Sequence, residues 1–318
     1  MKKIIKQIAL LALLAVLFVG CAGMSVKNNA NTQETRGNNM DTAWSRTIID
    51  AAGNRVVLDK QPQRIAILHS LYLEYFFALE TPPIASAGAS RGTAMKALEE
   101  WETLKPYEGT ANIIDLGSAR DLNLEAILEV KPDVIVTFKG HVDKIYDQLV
   151  QIAPVILMDF NASWQDQTLA CAEIVGKEAY AKDFIKETES IISSSKEKLS
   201  KYDKTITLFR TKGKSFVSRG NKDYYDTFGI SKPKGYPDNY EILSLEAVAE
   251  MNPDYIVFQE YIETAKAFVK SQEAFSIWNN LDAVKNGHVF YFNDSLNTLG
   301  PLTMRITAEE LLRVFSEQ

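Results

Sequence analysis

The sequence of 318 residues has few cysteines, few histidines and no excess of positive charge. Two cysteines cannot form a disulfide framework, and three histidines offer little for a transition-metal site built from protein side chains alone. Forty-one acidic residues outnumber 35 basic ones, so the formal net charge is −6. An acidic chain argues against nucleic acid as the partner, because phosphate binding needs a basic face. Hydrophobic residues make up 46% of the chain, as in globular proteins, and the length predicts two domains.

The N-terminal segment has the pattern of a secretory signal. Three lysines precede an apolar run from Ile8 to Val19, which is too short to cross the roughly 30 Å hydrocarbon core of a bilayer. Gly20 and Cys21 follow the run and resemble the end of a bacterial lipobox, in which the cysteine becomes the lipidated N-terminus. We therefore predict a lipoprotein signal peptide over 1–20; the alternative is an ordinary signal peptide with a cysteine there by chance.

The segment after Cys21 is polar and predicts a tether. Residues 21–45 are rich in Asn, Thr, Gly and Ser and have too little apolar surface to fold. Removing the signal takes away three lysines and no acid, so 41 acidic residues face 32 basic ones and the charge becomes −9. Cys171 then has no partner in its own chain, and we expect it to be a buried packing residue.

An internal repeat indicates the architecture. Asn123–Val136 and Ser244–Val257 are identical at eight of fourteen positions, at an offset of 121 residues. Each copy has a polar N-cap candidate, a short helical pattern, a proline and an apolar strand. We expect the residue before each proline to be extended. The offset suits two similar lobes, each with its own sheet.

Helical and strand patterns alternate on both sides of a long helical segment. We predict a hairpin over Thr47–Leu58 and an N-terminal lobe over 46–163. A connecting segment over 164–202 breaks near Gly176, and a C-terminal lobe covers 203–318. The alternation predicts α/β lobes with mostly parallel sheets. The predicted strands are Arg64–Leu68, Pro83–Ala87, Val134–Phe138, Val155–Met158, Thr205–Phe209, Ser215–Ser218, Asp254–Phe258 and His288–Phe292.

Seven segments, in this order, resemble the iron-siderophore substrate-binding lipoproteins of bacterial ABC importers. The segments are IIDAAGNRVVL with QPQRIAIL, LGSARDLNLEAILEVKPDVIV, KIYDQLVQIAPVIL, IVGKEAYAKDFI, ILSLEAVAEMNPDYIV, WNNLDAVKNGHVFYF and LGPLTMRITAEELLRVF. The resemblance implies two α/β lobes joined by one long backbone helix, with the ligand cleft between them.

The resemblance also implies a function. The protein would bind a ferric siderophore outside the cell membrane and deliver it to an ABC permease with its ATPase. It would be a lipid-anchored monomer with no cofactor of its own. Because the siderophore already wraps its iron, no protein metal site is expected, and the long helix implies small lobe movements.

Two glutamates are candidates for permease docking. Glu125 and Glu246 occupy the same position in the two repeat copies, where the family carries one surface glutamate per lobe that contacts permease arginines. A glutamate in the first turn also complements the helix dipole, so a purely local role is the alternative.

Most candidate ligand contacts follow predicted strands, because ligands of α/β sheets sit beyond the carboxyl ends of strands. Two do not: Tyr240 lies in the loop before the second repeat helix, and Arg305 begins the last predicted helix. Arginine recognises carboxylate or catecholate oxygens through several donors, and tyrosine adds flat contact area. For each side chain the alternative is a solvated surface group. The candidates are Arg91, Lys139, His141, Arg210, Arg219, Tyr240 and Arg305.

The sequence also bears on three other functions. The chain has no G-x-S-x-G, P-loop, G-x-G-x-x-G or H-E-x-x-H motif, so we do not expect an enzyme. A carrier of cobalamin or haem on the same fold is the stronger alternative, since His69 or His141 could reach a ligand's metal. A sensor without transport remains open, and so does the identity of the siderophore, although several basic residues favour an anionic chelate.

Overall fold

A computed structural model describes residues 44–88 and 101–316, and these form two α/β halves preceded by a hairpin. Strands β1 (Arg46–Ile49) and β2 (Arg55–Leu58) pair antiparallel around Gly53, which has a φ of +84° and turns the predicted hairpin. Asp50 fixes the turn by accepting the amides of Ala52 and Asn54 at 2.9 and 2.8 Å.

The first half contains a parallel five-stranded sheet. Its strands are β3 (Ile65–Ile67), β4 (Ala85–Gly88), β5 (Ile114–Ser118), β6 (Val134–Phe138) and β7 (Val155–Met158). They lie in the order β5-β4-β3-β6-β7. The sequence did not predict β5, because this edge strand buries only Leu116 and has no apolar run.

The second half contains a mixed five-stranded sheet. Its strands are β8 (Ile206–Lys212), β9 (Ser215–Arg219), β10 (Ile242–Leu243), β11 (Tyr255–Gln259) and β12 (Val289–Phe292), in the order β10-β9-β8-β11-β12. Strands β8, β11 and β12 pair in parallel, whereas β9 pairs antiparallel with both of its neighbours, β8 and β10. The prediction of mostly parallel sheets therefore holds for the first sheet better than for the second.

Helices pack on both sheets. Among the described residues the α-helices are α1 (Leu73–Ala78), α2 (Leu124–Glu129), α3 (Tyr146–Leu149), α4 (Trp164–Val175), α5 (Glu178–Leu199), α6 (Lys222–Phe228), α7 (Leu245–Met251), α8 (Ile262–Gln272), α9 (Ser276–Asn279), α10 (Asp282–Lys285) and α11 (Pro301–Ser316). Short 3₁₀ turns cover Ser70–Tyr72, Lys105–Tyr107 and Asp294–Asn297. None of these helices is both long and apolar enough to cross a membrane.

Helix α5 contributes to the cores of both halves. Ala181, near its start, belongs to a core of the first half, while Ile192 and Leu199 belong to the core of the second half. The predicted break before it is confirmed, because α4 ends at Gly176 in the left-handed conformation. Cys171 of α4 is completely buried, as expected for a packing residue.

The two repeat copies fold alike. Asn123 and Ser244 cap α2 and α7, and the next strand of each copy is the fourth in its sheet. The prediction of extended geometry before the two prolines is wrong. Lys131 and Asn252 have φ values of 45° and 39°, so both lie in the left-handed region. That geometry ends the helix and lets the Asn252 amide bond the Val248 carbonyl at 3.0 Å.

Candidate functional site

A pocket of about 250 Å³ opens in the second half, where β9 and β11 end and the loop after β12 begins. The side chains that shape it are mainly polar. They include Arg219, Asn221, Asn239, Tyr240, Gln259 and Asn297. We call this feature the Arg219 pocket. Its size suits part of a chelate, with room for the remainder outside.

Arg219 is the cation within the pocket. Its Nε and one terminal nitrogen donate to Oδ1 of Asn297 at 3.2 and 3.0 Å. Burial and the neighbouring Arg210 lower the pKa of Arg219, although a guanidinium remains charged at neutral pH. Its hydrogen-bond partner is a neutral amide, and Asp294, which also acts on its charge, is paired with Arg210, so Arg219 can still attract an anion.

The backbone of Arg219 is held by a buried tyrosine. The amide of Arg219 donates to the Tyr236 hydroxyl at 3.0 Å, and that hydroxyl lies 2.8 Å from the Arg219 carbonyl. Burial raises the pKa of Tyr236 to about 12, so the hydroxyl stays protonated. The position of the arginine is therefore set by the core and not by solvent.

Arg210 lies beside Arg219 but already has a counter-ion. Its guanidinium contacts Oδ1 of Asp294 at 2.8 Å, and the two side chains are only 25% and 21% exposed. The sequence placed Arg210 at a strand end, and this is wrong. Strand β8 continues to Lys212 because its hairpin with β9 adds the pairs Thr211–Phe216 and Lys212–Ser215.

The loop after β12 supplies the partners of both arginines. Asp294 contacts Arg210, while Asn297 accepts from Arg219 and donates to the Gln259 carbonyl at 2.8 Å. Sequence reasoning missed Asp294 and Asn297, although the same rule of residues after strands, applied to β12, would have found them.

Tyr240 lines the pocket at its mouth. It is 59% exposed and lies before β10, in the stretch that leads to the second repeat helix, where the sequence placed it. An exposed aromatic ring at the edge of a pocket provides flat contact area for a ligand.

Four rings gather at the carboxyl ends of β3, β6 and β7 in the first half. His141 stacks on Phe138 at 4.7 Å between centroids, and His69 meets both rings edge-on at 5.6 and 5.9 Å. Phe160 contacts Phe138 at 5.2 Å and is 53% exposed. We call this group the histidine–phenylalanine cluster. Its outer ring, Phe160, was not among the predicted residues.

Both ring nitrogens of His141 are used inside the protein. Nδ1 lies 2.6 Å from the Thr137 hydroxyl, and Nε2 lies 2.6 Å from the Ala119 carbonyl. A carbonyl only accepts, so Nε2 carries a proton. His141 therefore offers a ring edge or face to a ligand and not a free nitrogen.

His69 is a neutral member of the same cluster. Its Nδ1 accepts the Leu71 amide at 3.2 Å, and burial, with a smaller contribution from His141, lowers its pKa to about 4. At neutral pH the ring is therefore uncharged and its proton lies on Nε2.

The other predicted ligand residues are placed differently. Lys139 directly follows β6 and is exposed. Arg305 lies in the second turn of α11 instead of at its start, because the helix begins at Pro301. Its guanidinium contacts Glu187 and Thr188 of α5 at 3.2 Å and lies over the Phe184 ring, away from the lining of the Arg219 pocket. Arg91 and Cys21 lie outside the described residues.

The docking candidates Glu125 and Glu246 are both exposed in the first turn of their helices. The Glu246 amide and the Ser244 hydroxyl lower the pKa of the Glu246 carboxyl. Both side chains are thus accessible to a partner.

No group of three or more histidine, cysteine or acidic side chains that could hold a metal occurs in the described part of the chain. The site is built to hold a molecule through arginine, amide and aromatic groups.

Comparison with known sequences decides the family. The sequence model described as periplasmic binding protein matches residues 65–296, which is most of the chain. The chain belongs to this periplasmic binding protein family. The family consists of binding proteins and not of enzymes, and the matched range includes both sheets.

Two individual proteins of Bacillus subtilis are similar to this chain over most of its length. The chain is 28% identical over 308 residues to a probable siderophore-binding lipoprotein, YfiY, of Bacillus subtilis, covering 88% of this chain and 90% of the relative. It is 25% identical over 290 residues to the Fe(3+)-citrate-binding protein YfmC of the same organism, covering 88% of each. The relatives are therefore matched over nearly their whole length.

A solved structure shares the fold. Staphylococcus aureus SirA, crystallised with staphyloferrin B, superposes with a TM-score of 0.66 at 23% identity, covering 85% of this chain and 98% of SirA. The fold prediction of two α/β lobes is confirmed. The segment boundaries and the list of ligand contacts stay predictions.

Proposed function

We propose that this periplasmic binding protein captures a ferric siderophore outside the cytoplasmic membrane and delivers it to an ABC permease for iron uptake. The observation that carries the proposal is the Arg219 pocket, where a partly buried guanidinium has a neutral hydrogen-bond partner. The relatives support it. YfiY is named a probable siderophore-binding lipoprotein, YfmC is named an Fe(3+)-citrate-binding protein, and SirA was crystallised with staphyloferrin B.

The chemistry favours an anionic chelate. Among the described residues Arg219 has a neutral amide and not a carboxylate as its side-chain hydrogen-bond partner, and Arg210 can add a second positive charge if the ligand displaces Asp294. Although Asp238 also lines the pocket, the Arg219 charge on a body of net negative charge draws an anion inward. We therefore rank carboxylate or catecholate siderophores above neutral hydroxamates.

We assign complementary roles to the two halves. Arg219, Arg210 and Tyr240 would bind anionic oxygens, while the histidine–phenylalanine cluster and Lys139 would contact the ligand from the first half. The internal contacts of His141 argue against its coordinating a haem or cobalamin metal. Arg305 would stabilise the fold through α5, and Arg91 stays a candidate.

The remaining assignments follow the same proposal. Residues 1–20 would be a signal peptide, Cys21 the lipidated N-terminus and 21–45 a tether to the extracytoplasmic face of the membrane. The lobes would span 46–163 and 203–318, with 164–202 between them. The protein would act as a monomer without catalysis, and Glu125 and Glu246 would contact the permease.

Tryptophan-fluorescence quenching tests the function. The protein without residues 1–21 is titrated with ferric citrate, ferric staphyloferrin B, a ferric hydroxamate, haem and cobalamin. We expect saturable quenching by an anionic ferric chelate, with the iron-free chelator as control for quenching by the organic ligand alone. Binding of haem or cobalamin with no response to any ferric chelate would overturn the proposal.

A further inference from the structure

A buried glutamate joins the two halves through a segment that also lines the Arg219 pocket. Glu74 of α1 is completely buried, and its carboxylate lies against the start of α11. Oε2 accepts the Thr303 amide at 2.9 Å, while Oε1 accepts the Thr298 hydroxyl and lies 3.4 Å from the Thr303 hydroxyl. An acidic group at the first amides of a helix satisfies donors that have no partner inside the helix.

The chain is shaped to admit this carboxylate. A Cβ at Gly300 would overlap the Glu74 carboxyl, so only glycine permits the approach. Leu299, just before it, has a φ of +55°, a conformation that costs a leucine about 1–2 kcal/mol. A strained leucine and an obligatory glycine together indicate that the position of this segment is specified.

The same segment also lines the pocket. Leu296, Asn297 and Leu299 line the Arg219 pocket, and Asn297 holds the Arg219 guanidinium. One residue further, Thr298 holds Glu74. Residues 294–303 therefore run directly from the partners of the arginines to the partners of the glutamate.

We propose that Glu74 is a positioning residue for the Arg219 pocket, which fixes Asp294 and Asn297 through the segment 294–303 without touching the ligand. This inference rests on the proposed function, because it assigns the pocket to ligand. Glu74 is not one of the residues that the sequence predicted to contact the ligand.

Protonation gives the arrangement a measurable signature. Burial raises the pKa of Glu74 to about 7, although hydrogen bonds from Thr298, Thr303 and Leu302 act in the opposite direction. The protonated acid fits the same contacts: Oε1–H donates to Thr298, whose hydroxyl then donates to the Ser295 carbonyl at 3.0 Å. Ionised Glu74 favours exposure to water, so the contact weakens as the pH rises through 7.

The surroundings of Glu74 do not titrate in the same range. Tyr75 lies beside it on α1, with Tyr72 and Cys171 next to Tyr75, and burial raises the pKa of all three groups, which stay neutral. From the loop and α11, the facing groups are the hydroxyls and amides already named, and Asp294 is paired with Arg210. A transition near pH 7 in this segment is therefore assigned to Glu74.

Amide hydrogen exchange of the protein without ligand tests the positioning. Protection of residues 293–304 is compared at pH 6 and pH 8, after correction for the intrinsic exchange rate, in wild type and Glu74→Gln. Because the pKa of Glu74 is about 7, we expect the protection factor of this segment in wild type to fall about tenfold from pH 6 to pH 8. In Glu74→Gln the protection factor should be the same at both pH values. Strand β11 serves as the internal reference. Equal protection of wild type at the two pH values, or the same loss of protection in Glu74→Gln, would overturn the proposal.

Affinity for ferric citrate and the other chelates of the panel, measured at pH 6, tests the link to the pocket. We expect Glu74→Ala to bind about tenfold more weakly, while Glu74→Gln, which keeps the accepting oxygen, stays within twofold of wild type. Exposed Glu108→Ala is the control and should bind like wild type. Unchanged affinity in Glu74→Ala would overturn the positioning role.

Two outcomes of these experiments need a further measurement to interpret them. If Glu74→Ala does not fold, Thr298→Val, which lacks the hydroxyl that Glu74 accepts, takes its place with the same expectations. If wild type binds no chelate of the panel, the proposed function fails, while the exchange experiment still supports or overturns the role of Glu74 in holding the segment.

Discussion

Glu74 and Thr303 lie 229 residues apart in the chain, and the Thr303 amide donates to the Glu74 carboxylate at 2.9 Å. One residue belongs to the first helix of the first half, and the other to the last helix of the second. The contact thus joins the two halves next to a segment that lines the candidate ligand pocket.

The stability of the protein should depend on pH through Glu74. Its pKa is raised in the folded state, from 4.5 to about 7, so the folded state binds this proton more tightly than the unfolded state. The contribution is present at acidic pH and is lost as the pH rises from about 4.5 through 7. We expect the free energy of unfolding of wild type to fall by roughly 2–3 kcal/mol relative to Glu74→Gln between pH 5 and pH 8. Urea denaturation at both values measures the difference, and parallel pH profiles for the two proteins would contradict it.

Arg219→Gln should weaken ligand binding. Hydrogen bonds to charged groups contribute about 1.5–3 kcal/mol, which corresponds to about a tenfold to hundredfold loss of affinity. Arg219→Lys keeps the charge but not the planar donors, so its ligand affinity should lie between those of wild type and Arg219→Gln. Isothermal titration with the chelate that wild type binds measures the effect.

Arg313→Gln is the matched control for Arg219. Arg313 is paired with Glu310 on the surface of α11 and does not line the pocket. Its replacement should leave affinity unchanged. Equal losses for Arg219→Gln and Arg313→Gln would argue for a general effect of charge instead of a contact.

Replacing both Glu125 and Glu246 by glutamine should abolish iron uptake and leave ligand affinity unchanged. Each exposed ion pair contributes only about 0.2–1 kcal/mol, but under the docking proposal two pairs on separate lobes would orient the protein on its permease. Uptake of radioactive iron in cells and affinity of the purified protein are measured together.

The repeat supplies the control for this pair. Glu129 and Glu250 are exposed glutamates at another shared position of the two copies, on the same two helices. Glutamine at both should leave uptake intact. Normal uptake with Glu125 and Glu246 replaced would remove the docking assignment.

Gly300→Ala should destabilise the fold because of Glu74. The added methyl overlaps the Glu74 carboxyl, and overpacking of a core costs about 1–3 kcal/mol. In a Glu74→Ala background the space is open, so the same change should cost less. Gly213→Ala meets no atom within 4 Å, and its cost should be equal in both backgrounds. Strict additivity of Gly300→Ala and Glu74→Ala in urea denaturation would show that the two sites are not coupled.

The sequence alone predicted the elements that depend on local pattern. Apolar runs bounded by turn residues located Val134–Phe138 and Val155–Met158 to the residue, and Gly176 marked the break between α4 and α5. The repeat predicted two lobes, because a helix, a proline and a strand recur with the same capping chemistry. Such features depend on residues close together in the chain.

Only the tertiary structure decided the partners of the charged groups. The sequence placed Arg219 after a strand and Arg305 at the start of a helix as ligand contacts, yet Arg305 contacts Glu187 of α5 and Arg219 contacts Asn297. Glu74 stands in an apolar helix, and its burial is tolerated because Thr298 and Thr303 supply donors from the far end of the chain. A buried charge needs partners, and those partners are chosen by packing between distant segments, which no local pattern records.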